Sequence, residues 1–261
     1  MYEALHVAQT GLTAQNHRMA VISNNLANIN TVGFKRDRAN FDTLLYQTLK
    51  QPGAQTAQGA ESPTGLFIGT GVAISSSEKL FNQGNVINTD NALDMAIDGP
   101  GFFQVTMPDG STAYTRNGSF TRNQNGEVVT SNGYVVNPAI QIPADAANIT
   151  IGRDGTISAT VGGDSQVQQL GQIQVATFPN SAGLQPMGES FYRETVASGA
   201  PLQANPGDAG AGKLLQGSLE SSNVNVVEEL VNMIETQRAY ELNSKAISNI
   251  DAMMRNLTQS T

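Results

Sequence analysis

The chain has 261 residues, of which only 14 Lys and Arg and 22 Asp and Glu are charged, and it contains neither cysteine nor tryptophan. A net charge of −8 argues against a general nucleic-acid or anionic-membrane binder, and the missing cysteines exclude a disulfide scaffold, a cysteine nucleophile and a thiolate metal site. Asn (24) and Gln (20) together outnumber the charged side chains, so the surface is rich in neutral hydrogen-bonding groups and poor in the repulsion that keeps copies of a protein apart.

No run approaches the ~18 apolar residues of a membrane span. Residues 1–20 carry Glu3 and mix polar with apolar residues, where a basic stretch followed by an apolar one would mark a secretory leader. The expectation is a protein that is cytosolic or leaves by a route needing no cleaved signal.

The first thirty residues follow a heptad. Leu5, Leu12, Met19 and Leu26 recur every seventh position, and Ala8, Gln15, Ile22 and Ile29 follow each by three. The pattern runs to Gly33 and predicts a helix of about 28 residues, some ~43 Å long. Residues 41–65 are ambiguous: Phe41, Leu44, Leu45, Thr48 and Leu49 have helical spacing, but Gln51-Pro52-Gly53-Ala54-Gln55 breaks it, leaving either a short helix and loop or a protruding hairpin.

From residue 76 the period changes to two. Turn dipeptides at Asp109-Gly110, Asn117-Gly118, Asn125-Gly126 and Asn132-Gly133 separate short strand-like runs such as Phe102–Val105 and Glu127–Thr130, which predicts a β-meander. Further strand signals continue to about residue 198, where a Gly- and Pro-rich connector begins. The C-terminal segment returns to the heptad: Val226, Met233, Tyr240, Ile247 and Met254 form one row, flanked by Leu230, Ile250 and Leu257. Asn225 with Glu228 has capping-box spacing, and Glu241–Lys245 and Asp251–Arg255 are i,i+4 pairs with the acid first.

Candidate chemistry is thin. His6 and His17 lie on one helix about 16 Å apart, too far to share a metal. There is no phosphate loop or nucleophile elbow, and Gly69-Thr70-Gly71 and Gly99-Pro100-Gly101 lack the third glycine of a dinucleotide fingerprint. Asp94 and Asp98 are the one close carboxylate pair, and next to Asn91 and Gly99 they read as turn residues. Lys35, Arg36 and Arg38 form the basic cluster, either a solvated turn or a contact with an acidic neighbouring subunit. The expectation is no enzyme, no cofactor and no metal. Two long apolar-seamed helices at opposite chain ends have little to pack on outside the β region, which points to ordered self-assembly.

The run Ser23-Asn24-Asn25-Leu26-Ala27-Asn28-Ile29-Asn30-Thr31 with Gly33-Phe34-Lys35 resembles the signature of bacterial flagellar rod and hook proteins. Asn223-Val224-Asn225, Glu228-Glu229-Leu230-Val231 and Gln237-Arg238-Ala239-Tyr240-Glu241 are similar to the terminal helix of that family. Gly99-Pro100-Gly101-Phe102-Phe103 with Tyr114-Thr115-Arg116 resembles its central β domain. Within the family, Leu44-Leu45-Tyr46-Gln47-Thr48 and Gln51-Pro52-Gly53-Ala54-Gln55 resemble a segment of distal-rod subunits, with a hook or proximal-rod subunit as the alternative.

The resemblance implies an α+β subunit. Terminal helices at 1–31 and 224–261 form a coiled coil, with Leu5, Leu12, Met19, Ile22, Leu26, Ile29, Val226, Leu230, Met233, Tyr240, Ile247, Ile250 and Met254 at subunit interfaces. A connector spans 32–75 and 200–223 and carries an extended arm at 41–65, with Tyr46, Gln47, Gln51, Pro52, Gly53 and Gln55 specific to rods. An inserted all-β domain, meander or barrel-like, spans 76–199. The implied assembly is a tubular helical homopolymer in the basal body, exported through the flagellar type III apparatus. Its implied partners are proximal rod proteins, hook protein and P- and L-ring proteins, without nucleic acid or membrane insertion.

Overall fold

The computed structural model describes residues 2–53, 55–57, 60–61, 63–161, 167–208 and 210–259, with residues 2, 55–57, 60–61 and 257–259 described by backbone alone. The class is α+β: a helix at each end of the chain and a strand-rich middle. Two compact units are present, one built from 1–26, 37–78 and 225–261, the other from 27–36 and 79–224.

In the first unit, helix α1 (Tyr2–Ala27) ends earlier than the heptad predicts. The Asn25 side chain takes the backbone of Asp37, donating to its oxygen at 2.9 Å and accepting from its nitrogen at 2.8 Å. Past Ala27 the Thr31 N–H turns back onto the Asn28 oxygen at 3.2 Å. Ile29 is therefore outside the helix and in the second unit, which corrects its expected place on the helical stripe.

Strand β1 (Asp37–Thr43) follows, then β2 (Gln47–Lys50), β3 (Gln55–Ala57), β4 (Ala60–Glu61), β5 (Leu66–Ile68) and β6 (Val72–Lys79). β2 pairs with β5 and β3 with β4, all antiparallel, so the described residues of 47–68 make a two-stranded projection; β1 pairs with β6. The helical spacing of Phe41 to Leu49 is not used. Leu44 N–H instead donates to the Gly71 oxygen at 3.0 Å, and Gly71, at φ +120°, lies where a Cβ would strike the Thr10 hydroxyl of α1.

Helix α2 (Val226–Gln259) closes this unit. Asn225 caps it, its Oδ1 accepting from Val227 N–H at 3.0 Å and Glu228 N–H at 3.4 Å. Asp251 pairs with Arg255 at 2.9 Å as expected, whereas Glu241 takes Arg238 at 3.0 Å and not Lys245.

The second unit holds β7 (Val86–Asn88), β8 (Met95–Asp98), β9 (Phe102–Thr106), β10 (Thr112–Thr115), β11 (Phe120–Arg122), β12 (Val128–Thr130), β13 (Val135–Asn137) and β14 (Ala146–Ile151). It continues with β15 (Thr156–Val161), β16 (Val167–Gln172), β17 (Val175–Thr177), β18 (Gln185–Gly188), β19 (Phe191–Arg193), β20 (Leu202–Ala204), β21 (Lys213–Gln216) and β22 (Ser218–Glu220). The main sheet runs β11-β12-β13-β9-β10-β19-β18, with β17 bridging β9 and β20. β9 is central and closed on both faces. Phe103 and Val105 face a core with Met95, Phe120, Ile157 and Leu214, while Phe102 joins Tyr114, Leu184 and Tyr192.

The meander is interrupted. β10 does not pair with β11; the chain crosses to the far edge through Asn117-Gly118 and returns along β12 and β13 to β9. Residues 202–220, glycine-rich by composition, form β20, β21 and β22, which pair with β17, β8 and β7.

Candidate assembly surfaces

The two helices of the first unit run antiparallel. Arg18 lies 3.4 Å from Asn232 and 4.0 Å from Glu235, a Cβ on Gly11 would sit 3.1 Å from Asn243, and Ala4 and Ala8 share a groove with Ala246 and Ile250. That groove, of about 510 Å³, is also lined by Val7, Ile68 and Asn243. Apart from Ile22, the buried positions are small or polar: Ala8, Ala14 and Asn25 on α1, Glu229 and Thr236 on α2.

The interface residues expected from the heptads are divided by this arrangement. Ile22 is buried; Leu5, Leu12, Met19, Leu26, Met233, Ile247, Ile250 and Met254 are half-buried; Val226, Leu230 and Tyr240 are exposed. Sequence periodicity missed a second apolar face. Val227, Val231, Ile234 and Leu242 recur at helical spacing on α2 and are all exposed, Ile234 at 58%. Their signal is present as i,i+4 and i,i+3 spacing beside the seven-residue row, which dominates the pattern.

The projection at 47–68 is apolar as well. Leu49, Leu66 and Phe67 are open to solvent, and so are Leu45, 90% exposed, and Tyr46, 60%, in the segment that leads into β2. Gln47, Gln51, Pro52 and Gly53 are exposed; the Gln55 side chain, Ala54 and residues 58, 59 and 62 lie outside the described residues. The base of the projection is tied to α1, where His6 Nδ1 is 3.3 Å from the Thr70 oxygen and the Thr10 hydroxyl is 3.4 Å from the Val72 N–H.

Neither candidate charge site is catalytic in form. Asp94 accepts from Thr89 and Asn91, each at 2.8 Å, and Asp98 from Gln83 at 3.4 Å, so both carboxylates serve turns. Among the described residues no group of His, Asp and Glu is arranged to hold a metal. Lys35 is not on a solvated turn: it is fully buried, 2.6 Å from Glu220, and donates to the Asn82 oxygen at 2.8 Å. Arg116 approaches the same carboxylate at 3.5 Å and donates to the Gly99 oxygen at 2.7 Å. Burial holds the Lys35 ammonium below its ordinary range against the opposing pull of Glu220. Arg38 pairs with Glu78 at 2.8 Å.

Three family descriptions match the chain in order. Residues 5–35 match the flagella basal body rod protein family, 96–159 the D1 domain of the flagellar hook protein FlgE/F/G family, and 215–260 the C-terminal region of flagellar basal body rod FlgEFG proteins. These matches are to flagellar rod and hook proteins as a class. The flagellar basal-body rod protein FlgG of Buchnera aphidicola subsp. Schizaphis graminum is 52% identical over 99% of this chain and 100% of its own length. Those of Caulobacter vibrioides and Bacillus subtilis are 46% and 39% identical, each over 98% of both chains. The chain belongs to the FlgG family of flagellar basal-body rod proteins. No helix among the described residues is long and apolar enough to cross a membrane.

Proposed function

We propose that this chain is a structural subunit of the distal rod of the flagellar basal body, self-assembling into a rigid tubular polymer that carries motor torque across the periplasm to the hook. Near-full-length identity to FlgG rod proteins carries the reading. The physical support is the distribution of apolar surface. A chain whose helices bury mostly small and polar residues, and leave Val227, Val231, Ile234 and Leu242 in water, is finished by neighbours that cover them.

In this reading the terminal helices form an inner coiled-coil layer with those of neighbouring subunits, and the β-rich part lies outside. Proximal rod proteins, hook protein and P- and L-ring proteins are its neighbours, and it is exported unfolded by the flagellar type III apparatus without a cleaved signal. The arm at 41–65, with Tyr46, Gln47, Gln51, Pro52, Gly53 and Gln55, is a wedge between subunits that blocks the sliding which lets a hook curve. The division into a helical domain at 1–31 and 224–261, a connector at 32–75 and 200–223 and a β domain at 76–199 is proposed on the same ground.

Electron microscopy of basal bodies from a host lacking this gene tests the role. Bodies ending in a short proximal rod support it; complete straight rods with normal hooks refute it and return the hook or proximal-rod alternative. Deleting 46–63 and still obtaining straight, stiff rods removes the wedge alone.

A further inference from the structure

Exposed edge strands invite pairing with other chains, and proteins blunt them with charge, proline, bulges or very short length. In the second unit most outer edges of the two larger sheets are treated this way. β11 ends in Arg122, which donates to the Pro143 oxygen at 3.1 Å; β18 carries Pro186; β20 sits between Pro201 and Pro206. β14 is plugged by a side chain, since Gln216 accepts from the Ile151 N–H at 3.0 Å and donates to the Ile149 oxygen at 2.8 Å.

β16 is different. Among the described residues it terminates the β14-β15-β16 sheet, and its six residues include no charge and no proline. A register shift against β15 falls at Leu170, which packs on the core and holds the preceding Val167, Gln168 and Gln169 as an exposed run, Val167 at 69%. A second open neutral edge lies on β7. Its Val86, Ile87 and Asn88 pair with β22 on one side, and all three are exposed.

We propose that Val167–Gln169 of one copy pairs as a β-strand with Val86–Asn88 of the next copy, a contact that rests on the self-assembly reading above. Charge selects the occupant. With 36 charged residues in 261 the surface offers little repulsion between copies. Neither edge carries a charge that would draw a partner of opposite sign, so a second copy of the same amide-rich chain is the occupant. The two edges differ from each other, so the contact is head-to-tail and propagates as an open polymer instead of closing as a dimer. Main-chain bonds supply the attraction, and the Gln and Asn amides, donors and acceptors at once, satisfy one another across the join.

The cysteine-free chain makes the test clean. Directly opposed strand residues have Cα atoms about 4.5–5.5 Å apart, within reach of a disulfide. Full-length chains carrying Ile87→Cys with Val167→Cys, Gln168→Cys or Gln169→Cys are assembled in a host lacking the native gene and oxidised. At least one pair is expected to give a ladder of covalent multimers, with none from the single-cysteine chains. In addition, Gln168→Lys with Gln169→Lys is expected to lower assembled rods at least tenfold while leaving the monomer's melting unchanged. Rods from all three pairs without a ladder, a ladder from Gln168→Cys alone, or wild-type yield from the double-lysine chain overturns the proposal and leaves the rod reading standing. Failure of the wild-type chain to form rods in the same host refutes the rod reading, and the strand pairing falls with it.

Discussion

Lys35 and Glu220 stand 185 positions apart in sequence and meet at 2.6 Å with both side chains closed to solvent. Glu220 also accepts the Gly84 N–H at 2.8 Å and faces Arg116 at 3.5 Å, so one carboxylate answers two buried cations. Losing it leaves both uncompensated. Glu220→Gln is expected to destabilise the second unit by about 3–5 kcal/mol, while Lys35→Met costs less because Arg116 still faces Glu220. Chemical denaturation of the two variants, followed through tyrosine fluorescence, gives the order; equal losses would show that the carboxylate is not the shared partner.

The four Asn-Gly and Asp-Gly pairs between Asp109 and Gly133 look alike in sequence, and the structure separates them. Gly110, Gly126 and Gly133 have φ of +80°, +83° and +86° at hairpin turns, as their composition promises. Gly118 has no positive φ; its missing side chain makes room for the Met95 oxygen, which a Cβ would approach to 1.6 Å. Gly118→Ala is therefore expected to cost at least ~2 kcal/mol through backbone displacement. Gly133→Ala, with nothing within 4 Å, costs about 1 kcal/mol from its backbone angle alone. Comparable melting shifts for the two would contradict this.

That contrast shows what the sequence could disclose. Local chemistry was legible: the Asn225 cap, the Asp251–Arg255 pair, the two-residue turns and the apolar runs of β9 and β12 all depend on neighbours within a few positions. Contacts set by distant partners were not. Helix α1 stops where Asn25 finds Asp37, and Lys35 is buried because Glu220 arrives from the other end of the chain. Burial along α2 was only partly legible because both its faces carry apolar side chains, and periodicity does not say which of them the subunit itself covers.

Tyr114 is buried and donates to Glu194 at 3.3 Å. Burial first, and the nearby carboxylate second, push its phenol up from 10.0 to about 12. The folded state thus favours the protonated phenol. Its contribution, about 2–3 kcal/mol, is fully present below pH 10 and is lost as the pH rises from about 10 to about 12. Stability measured across that window is expected to fall more steeply for the native chain than for Tyr114→Phe. Parallel curves would mean that Tyr114 ionises no differently once folded.

Ile22 and Ile234 separate folding from assembly. Ile22 of α1 is 4% exposed and Ile234 of α2 is 58% exposed, so one aspartate substitution enters the interior and the other enters water. Ile22→Asp buries an unpaired carboxylate and is expected to cost the isolated subunit about 3–5 kcal/mol. Ile234→Asp leaves the monomer within about 0.5 kcal/mol of the native chain, because nothing in the subunit is disturbed. Its effect belongs to the polymer. A neighbour covering the Val227, Val231, Ile234 and Leu242 face would have to desolvate the new charge without a partner, so rods are expected to be absent from cells making this variant. Circular dichroism melts of both purified chains, beside electron microscopy of basal bodies, resolve the two cases. Normal rods from Ile234→Asp would place the intersubunit contact elsewhere on α2.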